Sequence, residues 1–174
     1  VTLRDLGDVD GAEAVVREAV AEARSLGDDA LLGQAVNHAS VVAGERGDHL
    51  EAARAFAQAF EDASSVRPVN RSIAQGLSLV ARLHADVGDH ERAYALSEYL
   101  LAEPLTQAPV RKLNAQVVEE RRSRLPPARA RRVAEEAATW DLGRAVADEV
   151  AALAALRRRL ERSPRAAATS APNA

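Results

Sequence analysis

Residues 47–52 read GDHLEA, residues 88–93 read GDHERA and residues 7–12 read GDVDGA. The three segments share a Gly-Asp pair and an Ala five residues after the Gly, and they recur at intervals of 40 and 41 residues. A segment that recurs every ~20–50 residues is typical of a solenoid, in which one helical unit is stacked on copies of itself. The shared positions are Gly7, Asp8 and Ala12; Gly47, Asp48 and Ala52; and Gly88, Asp89 and Ala93.

Each Gly-Asp pair predicts a tight turn between two antiparallel helices. Gly ends a helix readily because it adopts left-handed backbone angles, and Asp can accept a hydrogen bond from a free N–H group at the start of the next helix. After the second turn, small or apolar residues recur at helical spacing, as at Ala52, Phe56 and Phe60. The partner helices before the turns are predicted over 29–46 and 70–87, and only the end of such a helix remains at 1–6.

The composition excludes several classes of protein. The chain has 174 residues, of which 47% are hydrophobic and 3% aromatic, and it has neither Cys nor Met. A disulfide scaffold and a thiolate metal site both need Cys. Because no stretch approaches ~20 consecutive apolar residues, we expect no membrane span. We therefore predict an all-α protein, and the lack of Cys and of a signal peptide indicates a cytoplasmic location.

The repeat pattern stops near Pro104 and Pro109, since Pro interrupts a helix. Three further helices are predicted over 110–124, 127–138 and 142–161. The chain thus divides into helical repeats at 1–103, a helical C-terminal cap at 104–162, and a disordered tail at 163–174. Charge changes near the same place: residues 1–110 carry 9 basic and 18 acidic side chains, whereas residues 111–162 carry 13 and 8.

The helical unit resembles the tetratricopeptide repeat, in a longer form of about forty residues. That family has a small residue five after the turn Gly, which Ala12, Ala52 and Ala93 match. The large residue four positions later is matched by Val16 and Phe56, whereas the third copy departs with Ser97. The resemblance implies a right-handed α-solenoid of antiparallel hairpins, with a helical cap after about two and a half hairpins.

The connector 24–29, RSLGDD, and the run from residue 125 to 146 are similar to C-terminal regions of bacterial multidomain regulators. These are regulators of the LuxR and antibiotic-regulator classes with an ATP-binding module, and some related nucleotide cyclases. The resemblance implies a part in signal transduction or transcriptional regulation. One alternative that stays open is the regulatory tail of a nucleotide cyclase whose catalytic domain lies upstream.

The sequence offers no set of residues that predicts catalysis within this chain. There is no Gly-Lys-Ser/Thr phosphate loop and no Gly-x-Ser-x-Gly nucleophile motif. His49 and His90 hold equivalent turn positions and are expected to pack there. His38 and His84 lie on different helices without Asp or Glu at ligand spacing, so we expect no metal site and no cofactor.

A second alternative is contact with nucleic acid through the basic helices at 111–132. Against it, four glutamates interleave with the basic residues, and no aromatic residues are available for base stacking. Nucleic acid is therefore not the expected partner. The basic residues are Arg111, Lys112, Arg121, Arg122, Arg124, Arg129, Arg131 and Arg132.

The resemblance implies a concave binding surface lined by the first helix of each hairpin. We expect this surface to bind a protein, a peptide or a small effector, or upstream domains of the same parent chain, while the oligomeric state stays open. The chaperone-tail carboxylate clamp of the family is not matched. The positions carried over to the concave face are Arg4, Asp5, Asn37, Val41, Glu45, Ser78, Arg82 and Asp86.

Overall fold

In the computed structural model, residues 8–64 and 71–162 are described, and these two ranges contain helices and no strand. The prediction of an all-α fold is therefore confirmed. The helices are α1 (Val9–Leu26), α2 (Asp29–Glu45), α3 (His49–Ser64), α4 (Arg71–Asp86), α5 (His90–Ala102), α6 (Ala108–Arg122), α7 (Pro127–Ala137) and α8 (Leu142–Glu161).

The predicted helices agree with the observed ones to within about two residues. The predicted span 142–161 is the whole of α8, and 29–46 extends one residue beyond α2. Arg4, Asp5 and Gly7 lie outside the described residues, as do the predicted helix end at 1–6 and the tail at 163–174.

Each observed Gly-Asp turn uses the two residues as the sequence predicts. The φ angles of Gly27, Gly47 and Gly88 are 65°, 75° and 82°, which is left-handed backbone that a residue with a Cβ adopts at a cost. The Asp that follows accepts a hydrogen bond from the first turn of the next helix. In the second copy, the backbone N–H of Glu51 donates to Asp48 Oδ1 over 3.0 Å.

Gly27 and Asp28 form a further turn of the same kind, between α1 and α2. Asp28 Oδ1 accepts a hydrogen bond from the backbone N–H of Leu31 over 2.9 Å. From the sequence, these two residues are expected only as part of the connector 24–29. The same device therefore joins α1 to α2, α2 to α3 and α4 to α5.

From α1 to α6, helices that are consecutive in the chain pack against each other, and three alternate pairs also pack together. The first helices of the hairpins contact in series, α2 with α4 and α4 with α6, while α5 contacts α7. The chain then reverses its course: α8 packs on α3 rather than on the helices that precede it.

A single core cluster joins the hairpins to the last helix. Phe56 and Phe60 of α3 stack with their ring centroids 6.3 Å apart, and Leu77 and Leu96 bring in α4 and α5. From α8 the same cluster includes Leu153, which is fully buried. Burial of these apolar side chains is the main force that holds α8 in place.

Replacement of Gly88 by Ala tests the turn geometry. Gly88→Ala should lower the free energy of unfolding by about 1–2 kcal/mol, because L-residues are strained in left-handed backbone. The matched control is Gly44→Ala. Gly44 lies in α2 without a positive φ, and the space around its Cβ position is open, as it is at Gly88.

Urea unfolding of both variants measures the difference. Gly44→Ala should be neutral or stabilising by up to about 1 kcal/mol, since Ala favours helix more than Gly does. Equal effects of the two substitutions would show that the Gly88 turn is not left-handed.

Candidate functional site

The residues predicted to face a partner do not all lie on the surface. Asn37 and Ser78 are buried, with 7% and 2% of their surface exposed, so their placement on a binding face is wrong. Ser78 Oγ donates a hydrogen bond to Asn114 Oδ1 of α6 over 3.1 Å. Both residues lie where first helices meet, and a polar side chain there is bound within the protein instead of facing solvent.

Close approach of α2 and α4 explains why Asn37 is covered. A Cβ atom at Gly76 of α4 would lie 3.0 Å from Asn37 Oδ1 and 3.2 Å from Phe60 Cε1. The missing side chain at Gly76 therefore leaves the room that Asn37 and Phe60 occupy. The backbone of α4 at Gly76 therefore covers Asn37.

The other predicted positions that the structure describes remain accessible. Glu45, Arg82 and Asp86 are exposed, and Val41 is half-buried. They belong to two equivalent rows of side chains, which we call the α2–α4 stripe. Its members are Gln34, His38, Val41 and Glu45 on α2, and Gln75, Leu79, Arg82 and Asp86 on α4.

The two rows of the α2–α4 stripe match position by position at an offset of 41 residues. Within each row the spacing is four, three and four, which keeps the side chains on one helical face. A half-buried apolar residue, Val41 or Leu79, stands among polar neighbours in each row. The repeat period together with helical spacing was the signal that could have identified this face from the sequence.

A shallow cleft lies beside the α4 row, between the start of α4 and the segment that leads into α6. Its volume is about 190 Å³, including open solvent at its mouth. Gln75 is shared between the cleft and the stripe, and Thr106 is buried in its wall. The lining residues are Ala74, Gln75, Leu105, Thr106, Gln107 and Val110.

A second polar feature, which sequence reasoning missed, lies inside the protein. His84 at the end of α4 is 1% exposed, and Glu149 of α8 is fully buried. His84 Nε2 lies 2.6 Å from Glu149 Oε1, and Arg92 Nε of α5 donates to Glu149 Oε2 over 2.8 Å. Asp89 Oδ2 lies 3.2 Å from His84 Nδ1, within ion-pair distance although off the direction of the ring N–H.

We call His84, Asp89, Arg92 and Glu149 the His84 cluster. One wall of this cluster is aromatic, since the guanidinium carbon of Arg92 lies 5.2 Å from the ring centroid of Trp140. Trp140 in turn contacts Tyr99, with ring centroids 6.0 Å apart. The sequence has no Asp or Glu at ligand spacing from His84, and folding brings Glu149 to it from 65 residues away.

The carboxylates determine the protonation of the cluster. Burial lowers the pKa of His84, but Asp89 and Glu149 outweigh it, so the pKa of His84 is raised above 6.5. The contact with His84 lowers the pKa of Asp89 against the opposing effect of burial. The stabilising effect of His84 is therefore complete below its ordinary pKa and is lost as the pH rises through the raised value. The effect of Asp89 is present above its ordinary pKa of 3.8 and is lost as the pH falls through the lowered value.

The basic helices at 111–132 use part of their charge within the protein. Arg129 donates two hydrogen bonds to the carboxylate of Glu91, over 2.8 and 2.6 Å. Arg111 donates to the backbone carbonyls of Glu103 and Thr106. The exposed basic side chains of this region include Lys112, Arg122, Arg124, Arg131 and Arg132.

Comparisons with protein-family models, with curated proteins and with solved structures give no match to this chain. None of the helices within 8–64 and 71–162 has the length and apolarity needed to cross a membrane. In the same two ranges, no group of three or more His, Cys, Asp or Glu side chains is arranged to hold a metal ion.

Removal of the Glu149 charge tests the His84 cluster. Glu149→Gln keeps the shape of the side chain but should lower the free energy of unfolding by about 2–3 kcal/mol, because the Arg92 cation loses its buried counter-charge. Chemical denaturation near pH 6, where His84 carries its proton, gives the clearest measurement.

The neighbouring residue supplies the control. Asp148 lies on the exposed side of α8, 3.6 Å from Arg144, and Asp148→Asn should change stability by less than about 0.5 kcal/mol. A Glu149→Gln protein as stable as Asp148→Asn would mean that the cluster contributes nothing to the fold.

Proposed function

We propose that this chain is a non-catalytic binding segment that recognises a protein or peptide along the α2–α4 stripe. In this proposal its hairpins form a tetratricopeptide-like, right-handed α-solenoid within a cytoplasmic signalling or transcriptional regulator of bacterial type. The observation that carries it is the stripe itself, which presents equivalent exposed or half-buried positions on α2 and α4.

The chemistry of the stripe defines the partner. Val41 and Leu79 offer small apolar contacts, while Arg82 and Asp86 offer opposite charges one helical turn apart. Such a surface suits a peptide segment that alternates apolar anchors with polar groups, because apolar contacts supply affinity and charges select the register. The cleft beside Gln75 extends the surface toward α6.

The buried position of the His84 cluster supports a non-catalytic role. A general acid or base must come within hydrogen-bond distance of its substrate. The side chains of His84 and Glu149 are almost completely covered by the protein, and each is occupied by its neighbours. The cluster therefore serves the structure rather than a reaction.

Binding can be tested with peptides selected from a displayed random library on the wild-type protein. Leu79→Asp should weaken a selected peptide about tenfold or more, since a charge replaces the central apolar contact of the stripe. The control is Val15→Asp on α1, an exposed apolar position that lies outside the stripe.

Titration by fluorescence polarisation compares the two variants. Equal affinity of the Leu79→Asp and wild-type proteins for every selected peptide would contradict the proposed surface. A mobility shift with non-specific duplex DNA at low salt, abolished by Arg131→Glu with Arg132→Glu, would instead favour the nucleic-acid alternative.

A further inference from the structure

The last helix is held to the hairpins by two kinds of contact. Apolar side chains of α8, such as Val146, Leu153 and Leu156, lie in the core cluster with α3. The central polar contact of α8 is Glu149, which reaches His84 on α4 and Arg92 on α5. The apolar contacts do not depend on pH, whereas the contact of Glu149 with His84 does.

Within residues 8–64 and 71–162, the charged groups recorded around His84 come from the start of α5 and from α8. The α5 side contributes Asp89, at its N-cap, and Arg92 in its first turn. From α8 comes Glu149, while Arg159 of the same helix acts on Asp89. With His84 protonated, the two cations His84 and Arg92 balance the two carboxylates of the His84 cluster.

Loss of the imidazole proton breaks this balance. A neutral imidazole has a single N–H group, but carboxylate oxygens stand at both ring nitrogens, 2.6 Å from Nε2 and 3.2 Å from Nδ1. One carboxylate must then face a nitrogen lone pair, whichever tautomer forms. If the N–H group stays on Nε2, Glu149 keeps its hydrogen bond but its partner is no longer charged; if it moves to Nδ1, Glu149 Oε1 faces a lone pair at 2.6 Å. In both cases the contact of the buried Glu149 carboxylate with α4 is weaker.

We propose that the His84 cluster is a proton-dependent switch that tightens α8 against α4 and α5 when His84 is charged and loosens it at mildly alkaline pH. The Leu-rich contacts with α3 persist in both states. The change is therefore an increase in transient opening of α8, not complete release. Because α8 packs on α3, opening exposes the covered side of α3 more often as the pH rises through the pKa of His84.

The raised pKa of His84 agrees with a tighter α8 in the protonated state, because contacts that favour the closed helix also favour the charged imidazole. Neighbouring carboxylates overcome the effect of burial, so the proton is held above pH 6.5. Each unit by which the pKa is raised corresponds to about a tenfold change in the equilibrium between closed and open α8.

Amide hydrogen exchange of the full chain tests the switch, with α6 as an internal reference. After correction for the intrinsic pH dependence of exchange, opening of α8 relative to α6 should rise about tenfold between pH 6 and pH 9 in the wild type. His84→Gln should remove this rise. His38→Gln, which changes an exposed histidine on α2, should keep it.

Two results would overturn the proposal: α8 opening that is independent of pH in the wild type, or a full rise that survives in His84→Gln. If His84→Gln fails to fold, NMR titration of the wild-type imidazoles decides. The chain has four histidines, so their ring signals are few. A His84 ring that titrates below 6.5 would likewise overturn the switch.

Discussion

The buried carboxylate of Glu149 is the constraint on which the position of the last helix depends. A charge without solvent contact is costly unless it is paired, and Glu149 finds both of its partners on other helices. His84 ends α4 and Arg92 begins α5, so the carboxylate is satisfied only where α8 lies beside the turn that joins them. Apolar burial gives α8 its affinity for α3, and Glu149 selects one register among those that apolar packing would permit.

The Gly88-Asp89 turn places His84 and Arg92 beside Glu149. Its left-handed Gly lets the N–H of Asp89 donate to the carbonyl of His84 over 2.8 Å, which brings the two residues together. In the other turns the corresponding bonds reach Ala23 and Ala43. One repeat therefore has an imidazole where its counterparts have a methyl group. The same backbone device that forms the hairpins thus supplies a polar contact for α8 at a single place.

The repeat and its helices follow from the sequence, because Gly-Asp turns and helical spacing are local signals. The side chains that face solvent were predicted less well. Asn37 is buried where α2 and α4 approach closely at Gly76, and Ser78 is buried against Asn114 of α6. Both contacts depend on tertiary packing that helical periodicity does not encode. The pairing of His84 with Glu149 was missed since it spans 65 residues and requires α8 to fold back over α3. A comparison of His84 with Ala43 across the repeat would have marked it as unusual.

Chemical cross-linking of α8 to α3 tests this account most directly, because it measures whether the two helices lie side by side. Arg54 of α3 and Glu161 of α8 lie 3.1 Å apart at their charged ends, and the chain has no Cys, so Arg54→Cys with Glu161→Cys introduces the only two thiols. A short bismaleimide should join them within one molecule in buffer but not in urea, whereas each single variant should form only dimers. Cross-linking within the molecule that is no more efficient in buffer than in urea would contradict the placement of α8.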